Sequence, residues 1–309
     1  MSVEPESAAG GCALATRYQD ILSDEFISKI ERLRLVSRKV IVGRIRGERL
    51  TRKRGRSVEF ADYRQYVVGD DLRFLDWNLY ARLDRLFLKL FLEEEDLHIY
   101  ILVDASRSMA YGNPSKLDYA RKVAAALAYI GLANYDRVVL GAFAGGDLRL
   151  VGPVRGKHQV LRVLEFLASL EPEGETRLAA AFKQFALTHR RPGVVIVVSD
   201  FLDKAGYEDA LRYFLATRQD VFILHLLAAE ELAPTLTGDL KLVDMEDEDT
   251  TEVTISAPLL RTYRRTVESF CASLKNYAGS RGLNYLLAST AVEFDVLVLD
   301  YLRRRGLVR

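Results

Sequence analysis

His98-Ile-Tyr-Ile-Leu-Val103-Asp104-Ala-Ser106-Arg-Ser108-Met109 decides the fold of this 309-residue chain. A run suited to a strand covered on both faces leads directly into three oxygen-bearing side chains at alternating positions. A near-continuous apolar run of this length belongs in the middle of a parallel sheet. The pieces that follow repeat the theme. A helix is predicted from about Lys116 to Ala133, then strands at Arg137–Phe143 and Asp147–Val151. Only Ala144-Gly145-Gly146 joins those two strands, too little for a helical crossover, so they are expected to form an antiparallel hairpin. Helices fit Lys157–Ser169 and Thr176–His189, a strand fits Val194–Val198, a helix Tyr207–Arg218 and a strand Val221–Leu227. After an interruption come a helix near Pro258–Ser280, a strand at Leu283–Ala288 and a last helix ending in Arg303-Arg-Arg305. Strands alternating with helices in this way specify an α/β domain with a mainly parallel, doubly wound sheet and one antiparallel edge strand.

Outward from this core the pattern changes. The interruption, Ala233 to Ser256, holds two alternating pieces, Leu240–Val243 and Glu252–Ile255, around the acidic connector Asp244–Asp249, and reads as an inserted hairpin. Upstream, Leu86–Leu92 reads as a strand and Gly69-Asp70-Asp71 as a turn. A first helix is expected over Ser23–Val42, where Phe26, Ile30, Leu33, Val36 and Val40 recur three or four apart. The expected organisation is a disordered tail over 1–16, a small N-terminal helix and β region over 17–96, and the α/β domain over 97–309 with its hairpin at 233–256.

Composition narrows the function. Forty-four Lys and Arg oppose 43 Asp and Glu, a net charge of +1, which excludes a generally basic nucleic-acid coat or an acidic solvating tail. Two cysteines, Cys12 and Cys271, make no disulfide framework and no zinc spacing. No stretch approaches the ~18–20 apolar residues of a membrane span, and the first sixteen residues carry two Glu and no basic residue, unlike a signal peptide. A soluble, cytoplasmic protein with no membrane span is expected. Charge is local instead: Lys29–Val58 holds twelve basic residues against Glu31 and Glu48. That run could attract nucleic acid, anionic lipid or an acidic protein, or be a solvated face. No aromatic residue interleaves with it, so it offers no stacking platform for single strands.

Familiar catalytic motifs are missing. Gly152-Pro-Val-Arg-Gly156-Lys157-His158 has one residue too few between its glycines for a phosphate loop, and His158 stands where a hydroxyl should meet magnesium. What remains is an oxygen cluster. Asp104, Ser106 and Ser108 leave the end of one strand, Ser199-Asp200 leave the end of Val194–Val198, and Gly174-Glu175-Thr176 supplies a third hydroxyl. Oxygen ligands with few carboxylates suit a hard divalent cation that keeps open positions. In a doubly wound sheet, ligands bind outside the carboxyl ends of strands at the switch point. The plain alternative is that Asp104 and the serines only cap the next helix, although one residue would suffice for that.

Asp104-x-Ser106-x-Ser108, Thr176 and Asp200 resemble the metal-ion-dependent adhesion site of von Willebrand factor A domains. Further motifs are Gly55-Arg-Ser-Val-Glu59-Phe-Ala-Asp-Tyr-Arg64, Tyr66-Val-Val-Gly69-Asp-Asp71-Leu-Arg73, Asp76-Trp77-Asn and Tyr80-Ala-Arg82. Together they resemble the uncharacterised bacterial family known as domain of unknown function fifty-eight, whose members are associated with MoxR-type AAA+ ATPases. The resemblance implies a von Willebrand factor A-like fold and a Mg²⁺ or Mn²⁺ ion. Ser106, Ser108 and Thr176 would contact that ion, and Asp104 and Asp200 would act directly or through water. It further implies a non-enzymatic protein-binding module, an adaptor or substrate-recognition partner of such an ATPase, engaging an acidic residue of its partner or client. Two other functions compete with this one. A haloacid-dehalogenase-like phosphatase would use Asp104 as nucleophile, but Ser106 stands where its acid/base carboxyl belongs. A nucleic-acid binder would use the basic run 29–58.

Overall fold

The computed structural model describes residues 24–31, 33–35, 59–92, 97–217, 219–234, 238–243, 250–304 and 306–308. They fall into two compact units: 59–92, and 24–35 together with 97–308. The elements in chain order begin with helix α1 (Asp24–Ile30), strand β1 (Glu59–Gln65), helix α2 (Trp77–Leu83) and strand β2 (Phe87–Leu92).

In the small unit, β1 and β2 pair antiparallel with a bulge between Phe60 and Asp62. Asp76 organises it. One carboxylate oxygen caps α2, accepting from the backbone N–H of Asn78 (2.9 Å) and Leu79 (3.1 Å). The other takes the Tyr63 hydroxyl and the Lys89 ammonium, both at 3.1 Å. Arg64 pairs with Asp70 and Arg73 with Asp71. Arg64, Asp70, Asp71, Arg73 and Asp76 of the motif thus find their partners within their own unit.

The large unit continues with β3 (His98–Asp104), α3 (Lys116–Ala133), β4 (Arg137–Ala144), β5 (Asp147–Val154), α4 (Val160–Ala168), α5 (Leu178–Thr188) and β6 (Val194–Ser199). It ends with α6 (Glu208–Leu215), β7 (Asp220–Leu227), α7 (Ala229–Leu232), β8 (Gly238–Val243), β9 (Thr250–Ile255), α8 (Ala257–Ser280) and β10 (Asn284–Ser289). Six strands form one sheet in the order β10-β7-β6-β3-β4-β5. All neighbours run parallel except β5, which turns back on β4 as the short Ala144–Gly146 link requires. Strands β8 and β9 make the inserted hairpin, paired from Gly238↔Ile255 to Val243↔Thr250.

Alternation along β3 divides the core in two. Ile99, Ile101 and Val103 face a layer containing α1, α3 and α4, while Tyr100 and Leu102 face α5, α6 and α8. Both faces are dry, which is why this strand reads as one apolar run. Helix α3 is buried on nearly every side. Its many alanines let it lie close to the sheet where larger side chains would hold it off.

Three expectations are corrected. The first helix does not run from Ser23 to Val42: α1 ends at Ile30, and Leu35 forms an antiparallel bridge with Val308. Tertiary pairing overrides helical periodicity there, while Phe26, Ile30 and Leu35 still enter the core. Because they do, the N-terminal region 17–96 is divided, with α1 belonging to the large unit. The last helix is broken into Phe294–Val296, a wide π turn over Leu297–Tyr301, and Leu302–Arg304. The tail 1–16, residues 36–58 of the basic run and the connector Asp244–Asp249 lie outside the described residues. Among those described, no helix is long and apolar enough to cross a membrane.

Candidate functional site

Strand β3 lies between β4 and β6, so the chain leaves it first toward one edge of the sheet and later toward the other. That reversal is the switch point, and Asp104 ends β3 beside the end of β6. Its carboxylate is fully buried. One oxygen accepts the backbone N–H of Ser106 (2.9 Å) and the other the hydroxyl of Ser199 (2.6 Å). The Ser106 and Ser108 hydroxyls are 3.1 Å apart, and Ser108 donates to Asp200 Oδ2 at 2.8 Å. Two strand ends and one loop therefore close into a continuous hydrogen-bonded cluster, more than capping a helix would need. Helix α3 is in fact capped by another residue, Ser115, which accepts from the backbone N–H of Asp118.

The loop carrying Thr176 is tied to the same place by its backbone. Arg107 N–H donates to the Gly174 carbonyl (3.1 Å), Glu173 N–H to the Ala105 carbonyl (2.8 Å), and Gly145 N–H to the Glu175 carbonyl (2.9 Å). Thr176 itself is buried. After Asp200 the chain turns sharply through Phe201, a bulky residue held at φ 56°. Such a conformation costs on the order of 1–3 kcal/mol and persists only where the surroundings impose it. Here Phe201 N–H donates to Ser199 Oγ, and its ring is buried.

Two residues that the sequence reading did not single out complete the cluster. Lys116, first residue of α3, has a side chain only 1% exposed. Its ammonium donates to Asp200 Oδ2 (2.7 Å) and to Glu231 Oε1 (2.6 Å). Glu231 is held in turn, its other oxygen accepting the Ala228 N–H at 2.7 Å. A lysine in the first turn of a helix opposes the macrodipole, and that was the one local signal that it has buried partners. Glu231 lies 115 residues away and carries no such signal.

The electrostatics describe a site with surplus negative charge. Burial, and then the charge of Asp200, push the Asp104 carboxyl up to about 7, against the pull of its hydrogen bonds from Ser199 and Ser106. Burial alone would lower the Lys116 ammonium, but Asp200 and Glu231 outweigh it and raise it above the ordinary lysine range. Three carboxylates against one ammonium leave a formal −2, which a proton relieves in part and a divalent cation would cancel. Among the described residues there is no group of three His, Cys, Asp or Glu placed to hold a metal. An ion here would therefore depend on the hydroxyls of Ser106, Ser108 and Thr176 as well as on Asp104 and Asp200. Oxygen donors of this kind fit Mg²⁺ or Mn²⁺.

Comparison with known proteins places the chain in a family. It belongs to the family described as Protein of unknown function DUF58, whose model matches residues 62–269. The uncharacterized proteins Rv1480 of Mycobacterium tuberculosis and Mb1516 of Mycobacterium bovis are each 26% identical over 296 residues, covering 93% of this chain and 92% of theirs. Among solved structures, BatB from Bacteroides thetaiotaomicron is 15% identical with a TM-score of 0.42, covering 68% of this chain and 98% of its own. An aerotolerance-related membrane protein from Bacteroides fragilis is 18% identical, also at 0.42, with the same coverages. At those scores neither carries a role over to this chain.

Proposed function

We propose that this DUF58 protein is a divalent-metal-dependent protein-binding module with a von Willebrand factor A-like fold and no catalytic activity of its own. It serves as an adaptor or substrate-recognition partner of a MoxR-type AAA+ ATPase. The observation that supports this most is the linked cluster of Asp104, Ser106, Ser108 and Asp200 at adjacent strand ends, with the Asp104 carboxyl pushed up to about 7 by burial and by Asp200. Ser106, Ser108, Thr176, Asp104 and Asp200 would hold Mg²⁺ or Mn²⁺, directly or through water. Bound there, such an ion supplies an electrophilic position that an acidic side chain of a partner or client can fill.

The reading makes association depend on both the metal and the Asp104 carboxylate. EDTA and Asp104→Ala are expected to weaken a pull-down of the AAA+ partner alike, with Mg²⁺ rescuing only the wild type. Contacts through the basic run 29–58 would instead respond to salt. A complex that survives both EDTA and Asp104→Ala unchanged overturns the metal site as docking point. Calorimetry on the purified chain is expected to show Mn²⁺ binding to the wild type and none to Asp104→Ala. Turnover of p-nitrophenyl phosphate with Mg²⁺ that disappears in Asp104→Asn would replace the binding module with a phosphatase.

A further inference from the structure

We infer that Lys116 is the site's resident cation, competing with the divalent ion for Asp200, and that Glu231, which already shares its ammonium, is the second seat that keeps it when an ion takes Asp200. This rests on the metal reading above and adds to it a residue that sets the affinity and charge selectivity of the site.

A buried lysine normally needs a reason, because both desolvation and the positive end of a helix disfavour its charge. Here the ammonium bridges two carboxylates at 2.7 and 2.6 Å, and one of them belongs to the candidate ligand set. Asp200 Oδ2 already accepts from Ser108 and from Lys116, so a cation drawing on that oxygen meets a formal positive charge one carboxylate away. Glu231 is the complement. Its Oε2 is fixed by the Ala228 N–H at the start of α7, which leaves Oε1 aimed at the ammonium as a standing acceptor. The Lys116–Glu231 pair is neutral by itself and can stay buried without Asp200. A monovalent ion would bring no more charge than the ammonium already supplies, whereas a divalent ion brings twice as much. The pair thus favours doubly charged ions.

The test is Mn²⁺ titration of the full chain by calorimetry, together with thermal unfolding with and without Mn²⁺, for wild type, Lys116→Met and Glu231→Gln. Removing the ammonium is expected to tighten Mn²⁺ at least about tenfold, since like charges this close repel strongly even at an effective dielectric near 20. It should also enlarge the rise in Tm caused by Mn²⁺. Glu231→Gln removes the second seat, leaves Lys116 on Asp200 and is expected to weaken Mn²⁺ about tenfold. If Lys116 were merely structural, Lys116→Met would loosen the site and weaken Mn²⁺. Should Lys116→Met fail to fold, the sign of the Glu231→Gln change decides. Wild-type binding with Lys116→Met equal or weaker, or with Glu231→Gln unchanged, overturns the inference and leaves the metal reading standing. No binding to any of the three proteins, by either measurement, overturns both.

Discussion

Asp104→Asn is expected to raise the Tm of the metal-free protein at about pH 8, and at the same time to abolish its stabilisation by Mn²⁺. The Asp104 carboxyl sits at about 7 in the folded chain, against an ordinary 3.8. The folded state therefore binds more protons than the unfolded state between those values, and stability falls as pH rises through that window. Above about pH 7 the buried charge weighs in full, at a cost on the order of a few kcal/mol at most. An asparagine is neutral at every pH and still offers an oxygen to the Ser106 N–H. With about 2–4 °C per kcal/mol for a chain of this order, a rise of several degrees follows.

A second group with the opposite sign completes this prediction. Burial holds the His225 imidazole down at about 4, so its contribution is present above about 6.5 and is lost as pH falls toward 4. In the wild type the two groups offset each other over that range, and the metal-free Tm should change little there. In Asp104→Asn only His225 remains, and acidification should destabilise progressively. Thermal unfolding in EDTA across about pH 5 to 8 checks both arms. A variant no more stable than wild type at the alkaline end would show that the Asp104 charge carries no penalty, and that no cation is wanted there.

Gly193→Ala is expected to be the most damaging single methyl in the large unit. A Cβ on Gly193 would lie 2.2 Å from the carbonyl oxygen of His98 and 3.0 Å from its carbonyl carbon. On its other side the Gly193 carbonyl accepts the Asp220 N–H at 2.8 Å, so the residue is pinned between the starts of β3 and β7. Neither neighbour is the free end of a side chain that could swing away. Overpacking of this kind costs about 3 kcal/mol or more, a fall in Tm of roughly 6–12 °C. Because β6 begins here and ends at Ser199, the same displacement would pull Asp200 away from Ser108 and lower Mn²⁺ affinity. Gly279→Ala is the control: it is exposed in α8 with nothing within 4 Å, and alanine there should stabilise by up to about 1 kcal/mol. Equal Tm values for Gly193→Ala and wild type would contradict the close approach of the two strands.

The apolar run at His98–Val103, the short Ala144–Gly146 link and the alternation of strands with helices determined by themselves an α/β unit with a mostly parallel sheet and an antiparallel β5. They did so because burial on both faces, loop length and side-chain period are local properties that a chain carries in its order of residues. The placement of Asp104, Ser106, Ser108 and Asp200 was legible for the same reason: each leaves the end of a recognisable strand, and the reversal of strand order puts those ends together. Thr176 was legible only as far as its loop. Tertiary structure decided the rest. The end of α1 at Ile30 follows from Leu35 finding Val308 at the far end of the chain, and no periodicity near residue 35 encodes that partner. Gly193 is needed because His98, 95 positions earlier in sequence, passes so close in space that a Cβ there would strike its carbonyl. Lys116 and Glu231, 115 residues apart, acquire their meaning only when β7 lies beside β6 and delivers α7 to the start of α3. A buried ion pair is a relation between surfaces that the fold brings together, and its energy depends on the water excluded around it, which one-dimensional order does not record.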